Sequence, residues 1–432
     1  MIDIAALRAN PDHFKRAWEA RGQSVDLSAL LAIDEQVRQL KFQAETKKAE
    51  QNQASKSIAA VAKSGGDVAT AKEAARRLGD EGAALDRQRE ELEAKLTQHL
   101  LVLPNPTLPE VPPGADASAN VVAATWGEKP TFAFPAKAHW DLGPALGIMD
   151  FERATKLSGS GFVVLSGPGA RLARALVSWF LDTHTEQHGY TELAVPYLVT
   201  PQTMQGTGQL PKFADQLYAC KDDDLLLIPT AEVPVTNLHA GEIFDAKDLP
   251  RKYTAHTPCF RREAGAAGIG TRGMTRVHQF DKVEIVWLTT PERSAADLLT
   301  LRGHAESLLQ QLGLHYRVLE LCTGDTGFSS AHTYDLEVWS PGTNSWLEVS
   351  SCSTFTDFQA RRANLRYRPA AGADGKQAKP AWLHTLNGSG LALPRCLIAV
   401  LETYQQADGS VRIPEVLKPY FGGQDRIVKT TA

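Results

Sequence analysis

Cysteine, methionine and an excess of either charge are all scarce in this chain. Its five cysteines (Cys220, Cys259, Cys322, Cys352 and Cys396) are scattered among 432 residues, odd in number and free of CxxC pairs. That argues against a cysteine-built zinc site and fits reduced thiols in a cytoplasmic protein. A net charge of −4 removes any bulk electrostatic case for nucleic-acid binding. No stretch approaches the roughly 18 consecutive apolar residues of a membrane span, so no membrane partner is expected. The opening MIDIAALRANPDHFKRAW lacks the apolar core of a signal peptide. Nucleotide fingerprints are missing as well: Gly167-Pro168-Gly169 is not a complete GxGxxG, and no GK[ST] follows. A turn into a helix carrying Leu172, Leu176, Trp179 and Phe180 explains those glycines more simply.

The N-terminal quarter is helical in character. From about Asp26 to Leu103, alanine, glutamate, lysine, arginine, leucine and glutamine dominate. Two long helices are expected, broken at Ser64-Gly65-Gly66-Asp67, where the glycines end one helix and Asp67 caps the next. Heptad frames through Leu30, Ile33, Val37, Leu40 and Ala44, and through Leu78, Leu85, Leu92, Leu96 and Leu103, fold them into an antiparallel hairpin. Each arm is expected to reach roughly 50 Å at about 1.5 Å per residue. Lys47, Gln51 and the alanines leave the distal half of the seam thin. Over residues 1–112 there are 16 Lys and Arg against 17 Asp and Glu. On charge alone a solvated spacer or partner surface is the default, with RNA binding the competing reading. Pro104, Pro106, Pro109, Pro112 and Pro113 then form a stiff, extended connection. The expected division is a helical domain over 1–103, a linker over 104–118 and a second domain over 119–432.

Chemistry-bearing residues lie in the second domain. Phe260 to Trp287 reads as strand, mobile loop, strand, with Gly265, Gly268, Gly270 and Gly273 letting backbone move and approach a ligand. Beyond the loop, Val283, Ile285 and Trp287 alternate onto a core face, and Phe280, Lys282, Glu284 and Val286 onto the other. Arg261 and Glu263 share a face before it. An arginine fork suits phosphate, an aromatic face suits a nucleobase, and a carboxylate suits an amine or a base edge. A solvated, salt-bridged hairpin is the equal alternative. Thr230 and Glu232 follow an apolar strand, Leu225 to Pro229, placed either to hold a small polar ligand or to cap a helix. Glu348 and Ser351, in the strand Trp346 to Ser351, are hard oxygen donors of the kind Mg²⁺ accepts beside phosphates. His384 to Gln405 reads as strand, glycine-bracketed turn and amphipathic helix. Arg395 near that helix start runs against the dipole preference, as expected of an arginine aimed at an anion.

In order and spacing, these pieces resemble the class II aminoacyl-tRNA synthetases, and within them the bacterial-type seryl-tRNA synthetases, over essentially the whole chain. The carriers are the N-terminal segment, the helical hairpin, the strand around Pro196 and the triplet Thr230-Ala231-Glu232. Phe260-Arg261-Arg262-Glu263 with its loop, Leu347 to Ser351, and Asn387 to Arg395 complete the set. The resemblance implies an α+β fold: an antiparallel sheet flanked by helices, preceded by a long α-helical coiled-coil hairpin that embraces tRNA. It implies a cytoplasmic homodimer that activates L-serine with ATP and charges tRNA(Ser) and tRNA(Sec). Position by position, Arg261 resembles the residue holding the ATP α-phosphate and the serine carboxylate, with Arg262 beside it. Glu263 is similar to the reader of the adenine amino group. Phe280 stacks on adenine, and Arg395 closes the other side and reaches the γ-phosphate. Arg276 and Val277 are nucleotide contacts. Glu348 and Ser351, with Val349 and Ser350 between them, serve ATP and its Mg²⁺. Thr230, Ala231, Glu232, Glu284, Thr385, Asn387 and Ser389 join Arg261 around L-serine. One departure is Pro394, where the family's motif 3 usually has glycine; proline is tolerable in a first helical turn. Two other classes stay in view. A ligase charging a carrier protein resembles this chain but lacks the arm, and a non-catalytic RNA-binding paralogue has a decayed site, whereas Arg261, Glu263, Glu348, Ser351 and Arg395 are intact here.

Overall fold

The computed structural model describes residues 1–264, 272–371 and 377–429. Near the N-terminus two long helices, α1 (Ser28–Lys63) and α2 (Val68–Leu101), form where the heptad frames place them. Asp67 opens α2, its Oδ1 accepting from the backbone N–H of Ala69 at 2.9 Å and of Thr70 at 3.2 Å, so two otherwise unpaired helix-start donors are satisfied. The helices pack as an antiparallel pair with Leu30, Val37, Ala44, Ala75 and Leu96 buried in the seam. One expected seam position is displaced: Asp34, not Ile33, is buried, accepting from Arg8 at 2.7 Å and Arg38 at 3.2 Å. Distally the seam is indeed thin. Lys47 bridges to Glu81 at 3.0 Å, and no side chain between Ala44 and Ala75 is fully buried. Polar bridging there adds little stability, since exposed ion pairs contribute about 0–1 kcal/mol.

The chain divides into two compact units, one of Ile2–Glu19 and Gln23–Pro104, the other of Met1, Ala20–Gly22 and Asn105–Ala432. The proline-rich stretch is extended but is no free spacer. Asn105 N donates to Phe328 O and Leu108 N to Ala331 O, both at 2.9 Å. The Asn105 carboxamide donates to Ser329 O at 2.9 Å and Phe355 O at 2.8 Å. Backbone buried in this way must pair, and here it pairs within the second unit.

That unit is built on one eight-stranded sheet. Its strands are β1 (Val121–Trp126), β2 (Thr191–Glu192), β3 (Arg251–Phe260), β4 (Gln279–Thr289), β5 (Tyr316–Glu320), β6 (His332–Ser340), β7 (Ser345–Thr354) and β8 (His384–Ala392). Their spatial order is β1-β5-β6-β7-β8-β4-β3-β2. All neighbours are antiparallel except β2 with β3. Helices α3 (Pro168–Glu186), α4 (Glu232–Asn237), α5 (Ser294–Gln311), α6 (Phe358–Ala363) and α7 (Leu393–Thr403) cover it. On one face Val283, Ile285 and Trp287 of β4 pack with Leu172, Leu176 and Phe180 of α3, Leu298 and Leu301 of α5, and Ile398 of α7. Trp287 has its indole N–H satisfied by Tyr190 Oη at 2.7 Å, as a buried tryptophan requires. On the other face Val286 and Leu288 pack with Val235 of α4 and Ala360 of α6. The alternation was legible, but the second face is no solvated hairpin surface: Lys282 and Glu284 are buried with their neighbours. Short helices α4 and α6, which local patterning left unplaced against the sheet, cover it.

Two further expectations change. The segment from Gly189 to Val199 is a strand only at Thr191–Glu192 and at Leu198–Val199, the latter pairing with Leu226–Leu227. Pro196 between them removes a ladder donor. And the glycines of the 384–392 segment bracket no turn, because β8 runs through to Ala392 and α7 starts at once. These glycines mark close approach instead. A Cβ on Gly388 would meet Leu301 Cδ2 at 2.7 Å, and one on Gly390 would meet His184 Nε2 at 2.2 Å. His184 Nε2 also lies 3.1 Å from Gly390 O, so α3 touches the strand's own backbone.

Gly390→Ala should therefore destabilise the second unit by about 1–3 kcal/mol, the usual cost of overpacking. Gly303→Ala is the matched control. Gly303 is exposed in α5 with open space around its Cα, and alanine there should stabilise by about 0.5–1 kcal/mol. Thermal unfolding of both variants should move Tm in opposite directions.

Candidate active site

Where β3, β4, β7 and β8 run side by side, the sheet floors a cavity of about 510 Å³. Thr230, Glu232, Arg261, Glu263, Arg276, Val277, Phe280, Glu284, Glu348, Val349, Ser351, Asn387, Ser389 and Arg395 all line it. Four residues implied by resemblance do not: Ala231, Arg262, Ser350 and Thr385. Ala231 is buried among Val235, Val286 and Ala360 on the sheet face that α4 and α6 cover. Arg262 is tied by its backbone N–H to Gln216 O at 3.0 Å. Ser350 turns to the opposite side of β7, its Oγ donating to Ser389 O at 2.7 Å. Thr385 is fully buried behind the cavity wall. Of the loop between β3 and β4, Gly265, Gly268 and Gly270 lie outside the described residues. Gly273, with φ +73°, is described, and a Cβ there would meet the His139 ring at 2.1 Å. The His139 ring accepts from Met274 N at 3.0 Å.

One end of the cavity gathers aromatic and cationic groups. The Arg261 guanidinium lies 5.2 Å from the centre of the Phe280 ring, and its Nε donates to Pro229 O at 3.2 Å. Arg276 Nη1 donates to Glu263 Oε2 at 3.2 Å. Glu263 itself has φ +48°, a left-handed conformation that costs a non-glycine residue about 1–3 kcal/mol and clusters at functional positions. Arg395 Nη1 donates to Glu348 O at 2.7 Å and lies 3.5 Å from Glu348 Oε2. Its position at the head of α7, unfavourable to the dipole, is offset by that carboxylate.

Glu348 and Ser351 are three apart, which in a regular strand would set them on opposite faces. The register against β6 slips here: Leu336 faces Ser350 and Glu337 faces Glu348. Val349 is thus the extra residue of a bulge, which re-aims side chains at a strand site. No periodicity in the sequence announced this. Asp335, opposite Ser351, keeps one buried oxygen, Oδ1, without a hydrogen-bond partner. Hard oxygens and an unsatisfied carboxylate oxygen fit Mg²⁺ chemically. Among the described residues no group of three or more His, Cys, Asp or Glu is placed to hold a metal ion.

At the other end the floor is buried and charged. Lys282 and Glu232 are each 7% exposed and Glu284 1%. Lys282 Nζ pairs with Glu284 Oε2, Thr230 Oγ1 donates to the same oxygen at 3.2 Å, and Asn387 Nδ2 donates to Oε1 at 3.2 Å. Burial nevertheless pushes the Glu284 carboxyl up, against the pull of Lys282. Burial, reinforced by Glu284, pushes Glu232 from its usual 4.5 to about 7. Two carboxylates facing one lysine cannot both ionise cheaply. Lys282 was visible in the sequence on the same strand face as Glu284 but received no role there.

The family model described as "tRNA synthetase class II core domain (G, H, P, S and T)" matches residues 218–404. The model described as "Seryl-tRNA synthetase N-terminal domain" matches residues 1–107. A protein of Nitratidesulfovibrio vulgaris named serine–tRNA ligase is 51% identical over 427 residues, covering 99% of both chains. Its namesake in Thermotoga neapolitana is 53% identical, covering 98% of this chain and 99% of that one. The crystal structure of seryl-tRNA synthetase from Pyrococcus horikoshii complexed with ATP superposes with a TM-score of 0.90 at 37% identity, covering 100% of both chains.

The raised Glu232 carboxyl has a consequence for stability. The unfolded chain releases this proton near pH 4.5, whereas the folded protein keeps it to about pH 7. The group's contribution is therefore full below about pH 4.5 and is lost as pH rises through 7. Glu232→Gln removes it. The stability of wild type relative to Glu232→Gln should fall between pH 4.5 and 8 by something on the order of 3 kcal/mol, read as a shrinking or inverting Tm difference. A pH-independent Tm difference would show that Glu232 titrates normally.

Proposed function

The chain belongs to the seryl-tRNA synthetase family, and on that premise we propose how its cavity performs ATP-dependent serine–tRNA ligation. The observation carrying the reading is Arg261, whose guanidinium lies 5.2 Å from the Phe280 ring centre and whose charge also pulls down the buried carboxyls of Glu232 and Glu284. One arginine thus borders both a site for a nucleobase with phosphates and a site for a small amino acid.

Adenine stacks on Phe280 with its amino group toward Glu263, beside Arg276 and Val277. Arg261 grips the α-phosphate and the serine carboxylate, and Arg395 leaves Glu348 to meet the outer phosphates. Glu348 and Ser351 would hold Mg²⁺, which would neutralise phosphate charge beside bound ATP. Serine lies over Thr230, Glu232, Glu284, Asn387 and Ser389, its ammonium facing the two carboxylates. Its carboxylate attacks the α-phosphorus in line, and the bond to pyrophosphate breaks as the seryl-adenylate forms. The nucleophile is already ionised, so the side chains supply alignment and charge stabilisation and no base is needed. A hydroxyl of the 3′-terminal adenosine of tRNA then attacks the seryl carbonyl and releases AMP.

The helical unit is assigned to the body of tRNA(Ser), and of tRNA(Sec), by shape and backbone contact. The near balance of its charges favours shape over a cationic track. A homodimer is proposed through the segment around Pro196, where Tyr197 and Leu198 are 44% and 43% exposed and large apolar side chains stand in solvent. No helix among the described residues is long and apolar enough to cross a membrane. The match of residues 1–107 to the N-terminal domain disfavours a carrier-protein ligase.

ATP–pyrophosphate exchange should depend on serine and be at least tenfold weaker with alanine, threonine or glycine. Arg261→Ala should abolish it, by about a thousandfold or more as for lost preorganised charge stabilisation, with circular dichroism and Tm unchanged. Exchange near wild type in that variant would remove Arg261 from the chemistry. Replacing residues 34–96 by a short flexible linker should leave exchange intact and cut tRNA charging severely. An armless protein that charges tRNA normally would make the hairpin a spacer.

A further inference from the structure

Gln359 lies on α6 with no exposed surface. It does not line the cavity, yet both ends of its carboxamide are engaged. Thr385 Oγ1 donates to Oε1 at 2.7 Å. Nε2 donates to Glu232 Oε1 at 2.7 Å and to Thr207 O at 3.3 Å. The direction of this amide is fixed by its surroundings: a carbonyl and a carboxylate on one side both need a donor, so only Oε1 is left for the threonine hydroxyl. A flipped amide would set oxygen against two acceptors in a fully buried position, leaving all of them without a donor.

We propose that Gln359 is a positioning residue for the amino-acid end of the cavity, setting which oxygen of Glu232 faces the substrate and holding Thr385 behind the wall. This rests on reading that end as the serine pocket. With Oε1 of Glu232 occupied by the amide, Oε2 is the oxygen left for a substrate ammonium. Thr385 then acts on serine through Gln359 and Glu232 without touching it, which accounts for its absence from the cavity lining.

The groups facing Glu232 set the sign of a pH effect. Burial and then Glu284 on β4 raise its carboxyl, while Gln359 on α6, Lys282 on β4 and Arg261 after β3 lower it. Thr230 before α4 accepts from Glu232 N at 3.2 Å. Removing the Gln359 donor therefore raises the carboxyl further and shrinks its ionised fraction at neutral pH.

Gln359→Met keeps length and volume and removes all three hydrogen bonds. In serine-dependent exchange at pH 7 it should raise the serine KM by about tenfold to a hundredfold, as for loss of a bond to a charged group, with the ATP KM within about twofold. The acid limb of kcat/KM for serine should move to higher pH. Thr385→Val, which deletes only the hydroxyl anchoring Oε1, should produce a smaller change in the same direction and serves if Gln359→Met does not fold. Serine and ATP constants that worsen together, or an acid limb that stays in place, would overturn the proposal by reducing Gln359 to packing. Wild-type protein showing no serine-dependent exchange would instead overturn the pocket reading itself, and this inference with it.

Discussion

Two buried carboxylates and one buried ammonium share the cavity floor, and their placement constrains the elements around them. An ion removed from water loses several kcal/mol of solvation, recovered only through close partners of opposite charge and well-aligned dipoles. Lys282 and Glu284 reach the floor from β4, and Glu232 from α4. Neutral donors come from β8 through Asn387 and from α6 through Gln359. A strand slipped by one residue would send Lys282 and Glu284 into the helices on the opposite face. The register of β3, β4 and β8 is thus as much an electrostatic requirement as a packing one.

The two ends of the cavity hold charge in different ways, and the difference suits their proposed tasks. At the nucleotide end, Arg276–Glu263 and Arg395–Glu348 are ion pairs with side chains between 23% and 46% exposed. Such pairs contribute little in solvent and exchange partners cheaply, so phosphates and adenine can take their place. At the amino-acid end the charges are locked under the sheet, and the floor carries one carboxylate more than its lysine can match. A ligand bringing an ammonium supplies the missing positive charge in a low-dielectric site, where the interaction is strongest.

Much of this was legible in the residues. The hairpin followed from glycine, aspartate and heptads, because helix caps and seams are local devices. The core face of β4 followed from alternation. The burial of its other face did not, since only the tertiary arrangement reveals that α4 and α6 cover it. Gly388 and Gly390 look like turn residues in one dimension and prove to be points where α5 and α3 touch the strand. The bulge at Val349 brings Glu348 and Ser351 together against the period of a strand, so their pairing could be carried over by resemblance but not computed from spacing. Gln359 had no signal: one buried amide in a short helix reads like any other polar residue until its partners are known.

Selectivity is where these features converge. Alanine and glycine fit any space that accepts serine, so size cannot exclude them. What opposes them is a floor of polar groups with fixed directions, because a donor or acceptor left unpaired in a dry site costs about 1–3 kcal/mol, the logic by which sites built for a hydroxyl reject analogues lacking one. That penalty exists only if the polar groups cannot turn away to find other partners. Glu284 is held by Lys282, Thr230 and Asn387, and Glu232 by Gln359, which is itself held by Thr207 and Thr385. Threonine poses the opposite problem, an added methyl that satisfies every hydrogen bond. Its rejection must come from walls that do not yield, and close packing of α3 and α5 on glycine backbone at Gly390 and Gly388 stiffens the strand that carries Asn387 and Ser389. On the proposed reading, rigidity of the polar floor would exclude the smaller amino acids, and rigidity of the strand behind it the larger one.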